Sequence, residues 1–439
     1  MLAALAYIGF ASAASAHASL LSSDPFENAV IESQPRQFTL TFNESVTPLF
    51  MRLIDPLGNA LSTSAYRVYG NAVVFDVPRP LEEGTHLLSW RVISADGHPV
   101  GGTITFAVGR PSPRPPEIES ETSPSIRIAI LIARFAIFVG LFVGSGGAFF
   151  RAWLQPGMAV NRTDKTTVVA AISTAFLATF LSVGLQGVDS LAASNQALLQ
   201  LSIWAAGART TYGVVALAVF LSLFLGLISL RLHGAAARAL SLLSLLGVGF
   251  SFALSGHAAS AAPWWLTVSA IFFHGAALAF WIGALAPLVA GLRDSAADIT
   301  LARFSKLVPF FLVPLIIGGI ALAIVQVEHV DALWNTDYGQ ILSLKLGLLV
   351  VLFGLAAINR WKLTSSVSAD ASRRWLRRSI AAELVIVSAI LGVVSLWRFT
   401  PPPRALAAAR DASFFTHIHT GKAMADVTIT PARAGPVAL

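Results

Sequence analysis

The sequence contains no cysteine and only four methionines among its 439 residues. Without cysteine, no disulfide can staple an exported region, and no thiolate can bind a metal or act as a nucleophile. Met51 is the only methionine in the region that we expect to be exported, so a thioether site for a soft metal ion cannot be assembled there. A metal site in that region must therefore use imidazole, amine and carboxylate groups.

Charged residues are also scarce. They make up 12% of the chain, against about 25% in ordinary globular domains. The hydrophobic fraction is 55% and the mean hydropathy is +0.70, so most of the chain must lie in lipid. The net charge is +7, but the basic residues collect in short loops between apolar segments. This pattern indicates an orientation in a membrane and argues against nucleic acid as a partner.

The first 16 residues predict a signal peptide, because a short apolar run ends in the small residues Ala14-Ser15-Ala16. The run lacks the usual basic residue before it, and an uncleaved anchor is the alternative. It is shorter than the roughly 18 apolar residues that a membrane span needs. Cleavage after Ala16 would make His17 the first residue of the mature protein, with a free α-amine beside its imidazole.

Residues 17–109 predict an all-β sandwich, because short alternating strands such as Phe38 to Phe42 are separated by turns. Asp96 and His98 lie between two of these strands, at i and i+2, so extended backbone would place both side chains on one face. Together with His17 they predict a metal site of two imidazoles, an amine and a carboxylate, which suits Cu(II). The alternative is that Asp96-Gly97 only forms a turn and His98 is a solvated loop residue.

A Pro-rich linker is predicted at 110–125, followed by a membrane domain at 126–400 and an outer tail at 401–439. The tail carries two expected strands, at about 414–420 and 425–430. It either docks on the rest of the protein or begins an incomplete β domain. The eight predicted spans run at about 126–150, 166–187, 211–231, 237–255, 264–289, 304–327, 340–360 and 377–397.

Several ionisable residues fall in or near these spans, where they are costly and therefore candidates for function. We expect His257 at the outer end of the fourth span and His274 near mid-membrane to be successive stations for a metal ion. Arg134, Lys345 and Glu383 are expected to form structural ion pairs. In the tail, the His417 and His419 pair predicts two imidazoles on one face of a strand and possible further metal ligands.

The stretch Ser94-Ala95-Asp96-Gly97-His98-Pro99-Val100, together with His17, resembles the CopC family of periplasmic copper-binding proteins. The membrane half is similar to its partner CopD in Ser255-Gly256-His257-Ala258, in the stretch from His274 to Trp281-Ile282-Gly283, and in four further places. These four are Arg303-Phe304-Ser305, Tyr338-Gly339, Lys345 and Asn359-Arg360. The chain as a whole therefore resembles a CopC–CopD fusion.

The resemblance implies that His17, Asp96 and His98 bind Cu(II) in the bacterial periplasm and that the membrane half passes copper to or through the inner membrane, with uptake favoured. Copper ion, the lipid bilayer and periplasmic copper chaperones are the implied partners, and no enzymatic activity is implied. Two rival hypotheses stay open. In one, His257 and His274 hold a haem in a membrane redox protein. In the other, the N-terminal histidine serves an oxidative copper enzyme.

Overall fold

The protein is described by a computed structural model that covers residues 18–155, 162–291, 297–363, 370–404, 414–419 and 424–429. Within these ranges, residues 19, 28, 33–34, 64–65, 78–79, 95–98, 113–122, 192 and 257 are not described. The chain forms two compact units. The first holds the described residues of Met1–Ile126, Gln186–Thr210 and Arg404–Leu439, and the second those of Arg127–Leu185 and Thr211–Pro403.

The N-terminal part of the first unit consists of two β-sheets, as the sequence predicts. Nine strands are found among the described residues of this domain. A five-stranded sheet has the order β2-β9-β8-β4-β5, and a four-stranded sheet has the order β1-β3-β7-β6. The strands are β1 (Leu20–Asp24), β2 (Ala29–Ile31), β3 (Gln37–Phe42), β4 (Thr47–Ile54), β5 (Ala60–Thr63), β6 (Tyr66–Tyr69), β7 (Ala72–Asp76), β8 (Gly84–Ile93) and β9 (Pro99–Val108).

Aromatic side chains from both sheets form the core of this domain. Alternate residues of β3 point inward, and Phe38 stacks on Phe75 of the same sheet at a ring-centroid distance of 5.1 Å. Phe38 also contacts Phe106 of the opposite sheet at 5.2 Å. His86 is fully buried, and its Nε2 lies 2.8 Å from the carbonyl oxygen of Glu82. This histidine therefore belongs to the core and is not a candidate ligand.

Beyond the linker the chain is helical until the tail, where two further strands pair. The helices are α1 (Pro124–Leu141), α2 (Gly147–Leu154), α3 (Arg162–Leu191), α4 (Leu201–Arg209), α5 (Thr211–Ser229), α6 (Gly234–Ala253), α7 (Trp264–Gly291), α8 (Ala297–Val327), α9 (Ala332–Asn335), α10 (Asp337–Ile358) and α11 (Asp370–Ser395). The tail strands are β10 (Phe414–His419) and β11 (Met424–Ile429), which pair antiparallel.

Among the described residues, eight helices are long and apolar enough to cross a membrane, which confirms the predicted number. Span 1 comprises α1, a π-helical turn at Phe142–Gly146 and α2. Spans 2 to 8 are formed by α3, α5, α6, α7, α8, α10 and α11. We call the end where spans 1 and 2 are connected the basic end of the bundle, and the end where span 1 begins the linker end.

The close approach of spans 1 and 5 depends on glycine. A Cβ on Gly146 would lie 1.8 Å from the carbonyl oxygen of Ala279 in span 5, so no larger residue fits without moving a helix. Small residues permit this kind of backbone contact in lipid. The same part of the bundle buries a serine cluster, in which Ser222 and Ser244 each donate a hydrogen bond to the other's carbonyl oxygen at 2.7 Å.

Candidate functional site

The predicted metal ligands His17, Asp96 and His98 lie outside the described residues, but the chain segments on both sides of them are described. Ala18 follows His17 and is buried in the same core cluster as Val46 and Val92. Ser94 and Pro99 flank the segment that contains Asp96 and His98, and Ser94 is 2% exposed. These described residues show where the chain enters and leaves the fold on either side of the candidate ligands.

Strand register brings these neighbours to one end of the sandwich. In the four-stranded sheet, Leu20 at the start of β1 pairs with Phe42 at the end of β3. In the five-stranded sheet, Thr47 at the start of β4 pairs with Ile93 at the end of β8, and Ile93 pairs with Pro99. Only four residues connect Phe42 to Thr47. The start of β1 and the β8–β9 connection consequently lie at the same end of the domain.

An aromatic contact joins the two sheets near this end. The rings of Phe42 in β3 and Trp90 in β8 meet edge to face at a centroid distance of 5.2 Å. Trp90 in turn lies against Gly102 of β9, where a Cβ would come 2.7 Å from the ring. This packing fixes the two strand ends relative to each other, so both chain segments that carry the candidate ligands start from a rigid frame.

The tail histidines His417 and His419 lie in β10, and only the backbone of this strand is described. In the hairpin, His417 pairs with Asp426 and His419 with Met424. Cα atoms of β10 come within 8 Å of Cα atoms of β1, the strand that begins three residues after His17. The tail hairpin is therefore next to the strand that leads out of the candidate metal end.

In the bundle, the His274 ring has one nitrogen bound to the protein. Its Nδ1 lies 2.9 Å from the carbonyl oxygen of Leu315 in span 6, and the ring packs against Gly319. Because a carbonyl oxygen can only accept, Nδ1 carries the hydrogen and Nε2 holds the lone pair. Metal-binding histidines commonly have this arrangement, with the second nitrogen fixed by a carbonyl group. His274 is a candidate ligand from the sequence analysis, and this geometry is compatible with that role.

Lys345 lies eight residues into span 7 and His274 ten residues into span 5, so both lie in the linker half of the bundle. The Lys345 ammonium group lies 5.0 Å from the centroid of the Trp397 ring, in cation–π geometry. Trp397 stacks on Tyr338 at 4.9 Å. The linker half of the bundle therefore contains the His274 ring and the Lys345 ammonium group, which lies over the Trp397 ring.

Glu383 of span 8 accepts a hydrogen bond from Asn359 Nδ2 at 2.6 Å and is 3% exposed. The expected ion pairs of Glu383 with Lys345 or Arg134 are wrong for the described structure, because Lys345 faces Trp397 and the Arg134 guanidinium lies over Phe138. Lys345 and Asn359 both lie in span 7 and are 14 residues apart, which is about 21 Å along the helix axis. Lys345 is therefore too far from the Glu383 carboxylate to form an ion pair with it.

Sequence reasoning missed Asn359 as the partner of Glu383. The available signal was a lone amide at the end of an apolar span, where the helix turns into a π-helical segment at Asn359–Leu363. Such segments frequently occur at functional sites. His257, the other predicted station, lies outside the described residues. Within the residues that are described, no three His, Asp or Glu side chains come together in a group that could hold a metal ion.

Two segments of the chain match families of copper proteins. Residues 20–109 match the family model for the CopC domain, and residues 298–397 match the model for copper resistance protein D. The first match includes Asp96 and His98, and the second includes Lys345, Asn359 and Glu383. His274 lies before the second matched segment.

Individual relatives agree with these assignments. The copper transport protein CutJ of Bacillus subtilis (strain 168) is 24% identical over 416 residues, which cover 88% of this chain and 75% of that protein. Copper resistance protein C of Xanthomonas campestris pv. juglandis is 34% identical over 103 residues, or 21% of this chain and 80% of that protein.

Among solved structures, CopC from Methylosinus trichosporium OB3b is 24% identical and covers 22% of this chain and 98% of its own, with a TM-score of 0.20. The identity and coverage of the curated relatives, together with the two family models, define the organisation of the chain. It belongs to the CopC family through its N-terminal β domain, and this domain is fused to a multi-pass membrane region of the copper resistance protein D type.

Proposed function

We propose that this protein binds Cu(II) in the periplasm through the amine and imidazole of His17 with Asp96 and His98, and passes copper through the inner membrane into the cell. It acts as a binding and transport protein and not as an enzyme. The name of its long relative CutJ, a copper transport protein, supports the transport part of this proposal.

The observation that carries the proposal is the strand register at one end of the sandwich. It brings the start of β1 and the adjoining ends of β8 and β9 to one end of the domain, and in sequence these lead to His17 and to Asp96 and His98, which supports the proposal. Two imidazoles, an amine and a carboxylate are a donor set that favours Cu(II). A free terminal amine requires cleavage after Ala16.

In the bundle, we propose His274, with the lone pair on Nε2, as a copper ligand and His257 as an earlier station. Basic residues cluster in the loops of the basic end, and the positive-inside rule therefore supports a cytoplasmic position for that end. The β domain and the tail are then periplasmic. A linker of about fifteen residues holds the β domain at an effective concentration on the order of millimolar near the bundle.

The tail hairpin extends the same proposal. Since β10 lies next to β1, we propose that His417 and His419 provide further imidazoles for copper near the outer site. Periplasmic copper chaperones are the proposed donors of the metal.

The test is a Cu(II) titration of the full-length protein in detergent, after mass spectrometry of its mature N-terminus. We expect the purified chain to begin at His17. The His98→Ala variant should bind Cu(II) at the outer site at least about 100-fold more weakly, a loss of about 2.7 kcal/mol. The matched control is His233→Ala, which removes an exposed histidine that begins span 4 without capping it through its side chain.

Two results would contradict the proposal. One is a mature chain that begins anywhere other than at His17. The other is an outer-site affinity that falls equally in His98→Ala and His233→Ala. The haem alternative has its own test, because a haem held by His257 and His274 would give the purified protein a Soret absorption band that disappears in His274→Ala.

A further inference from the structure

The donor groups inside the membrane bear on which form of copper the bundle can carry. None of the eight spans contains a cysteine or a methionine, since the only methionine between residues 124 and 398 is Met158, in the connection between spans 1 and 2. A cation in the bundle can therefore bind only to nitrogen and oxygen. Soft Cu(I) selects sulfur ligands, whereas imidazole and oxygen donors suit Cu(II).

Spans 5, 7 and 8 arrange their side chains in three successive layers. The layer nearest the linker end holds His274 and Lys345, which lie ten and eight residues into their helices, with Trp397 beside the ammonium group. The layer nearest the basic end holds Asn359 and Glu383, joined by the 2.6 Å hydrogen bond. On span 8 the two layers are marked by Trp397 and Glu383, which are separated by 14 residues, or about 21 Å.

The middle layer is apolar. Trp281 of span 5, seven residues after His274, stacks on Phe353 of span 7 with a centroid distance of 5.5 Å and an interplanar angle of 10°. Ile390 lies midway between Glu383 and Trp397 on span 8 and is buried. Along these three spans the apolar layer lies between His274 and the basic end. Beyond it, Ser388 of span 8 is exposed, and the first buried polar groups are Asn359 and Glu383.

The position of Glu383 is one where packing calls for an apolar side chain. Leu376, Ile380, Val387 and Ile390 are the buried residues on the same face of span 8. In the described bundle, the carboxylate of Glu383 has one hydrogen-bond donor, Asn359, and no cationic partner. Burying a carboxylate in this way costs free energy without a packing gain, so the group is a candidate for function.

A third polar side chain lies on the same face of span 8 as Glu383. Ser379 is one helical turn before Glu383, on the same face, and its buried hydroxyl has no hydrogen-bond partner among the described residues. Asn359 also brings an amide oxygen in addition to the nitrogen that bonds Glu383. We propose that Glu383, Asn359 and Ser379 form a second station for Cu(II), separated from His274 by the Trp281–Phe353 layer. This inference rests on the proposed passage of copper through the bundle.

The experiment measures uptake of radioactive copper by proteoliposomes that contain the full-length protein, with Cu(II) alone and with Cu(I) maintained by ascorbate. We expect the wild type to take up Cu(II) without reductant. Glu383→Gln should lower the uptake rate at least tenfold, because Gln keeps the shape and the acceptor for Asn359 but removes the charge. Glu383→Asp, which keeps the charge, should retain a measurable part of the rate.

Ser379→Ala is the second variant, because loss of an unpartnered hydroxyl leaves the packing intact. It should lower the rate several-fold. In all three variants the outer-site Cu(II) affinity should equal that of the wild type, which separates this inference from the proposed outer site. Wild-type uptake rates in both Glu383→Gln and Ser379→Ala, or uptake that occurs only with ascorbate, would overturn the second station. A wild type that moves neither form of copper refutes the proposed transport itself, and the station with it.

Discussion

One carboxylate of the β domain and one of the helical bundle are buried to the same extent, but their surroundings differ. Asp55 and Glu383 are both 3% exposed. Asp55 accepts hydrogen bonds from the backbone N–H groups of Leu57 and Asn59 and from the Asn59 amide, at 2.8–3.1 Å. In the described structure, Glu383 accepts one hydrogen bond, from Asn359. The Asp55 carboxylate stabilises the turn between β4 and β5 through backbone hydrogen bonds, whereas the Glu383 carboxylate accepts no backbone hydrogen bond in the described structure.

This difference separates residues that the fold needs from residues that it only tolerates. A carboxylate that receives several backbone hydrogen bonds is an element of local structure, because it satisfies donors that would otherwise be unpaired. A carboxylate with a single side-chain partner in an apolar seam contributes no such satisfaction. The comparison therefore predicts opposite effects on stability when each is removed.

The largest effect is expected for Asp55→Ala. The substitution leaves three donors near a buried turn without their acceptor, and it should lower the local free energy of unfolding of the β domain by about 2–3 kcal/mol. The measurement is hydrogen exchange of the full-length protein, followed by mass spectrometry, in which peptides from β4 and β5 should exchange faster than in the wild type. Leu57→Ala in the same turn, where the side chain is 78% exposed, is the matched control and should leave exchange unchanged. Equal exchange in the two variants would remove the contrast with Glu383.

The second prediction concerns the double variant Glu383→Leu, Asn359→Leu. Replacing both partners of a buried polar pair with apolar groups of similar size is often neutral or stabilising. We expect the bundle to change in stability by no more than about 1 kcal/mol, or to gain, while copper uptake is lost. The measurement is hydrogen exchange of peptides from spans 7 and 8. A loss of stability as large as that of Asp55→Ala would assign Glu383 a structural role.

The sequence predicted the periodic features of the fold well. The alternation of Phe38, Leu40 and Phe42 indicated β3, and the eight apolar runs indicated the eight spans, because burial in a sheet or in lipid imposes a local pattern. Strands of three or four residues, such as β2, β5 and β6, are too short to show such alternation. Residues that pair across the structure, such as Asn359 with Glu383, leave no local pattern.

The candidate site follows the same division. The spacing of Asp96 and His98 and the expected terminus at His17 suggested the ligands, but only the strand register showed that their flanking segments meet at one end of the domain. The predicted pairing of Glu383 with Lys345 or Arg134 was wrong because sequence shows which charges are in the membrane but not at which depth each side chain finds its partner. The ligand roles of His17, Asp96 and His98 stay predictions.

The smallest effect is expected for Ser222→Ala, which tests the comparison on a neutral polar group. The Ser222 hydroxyl donates to the carbonyl oxygen of Ser244 at 2.7 Å, and it lies 3.2 Å from the hydroxyl of Ser145. Hydrogen bonds between membrane helices contribute about 0.6 kcal/mol on average, since the hydroxyl finds other partners in the unfolded bundle. We expect a loss of about that size, seen as faster hydrogen exchange in spans 3 and 4 only. A loss above about 2 kcal/mol would mean that the bundle depends on its polar contacts as strongly as the turn at Asp55 does. Glu383 could then no longer be singled out by its sparse hydrogen bonding.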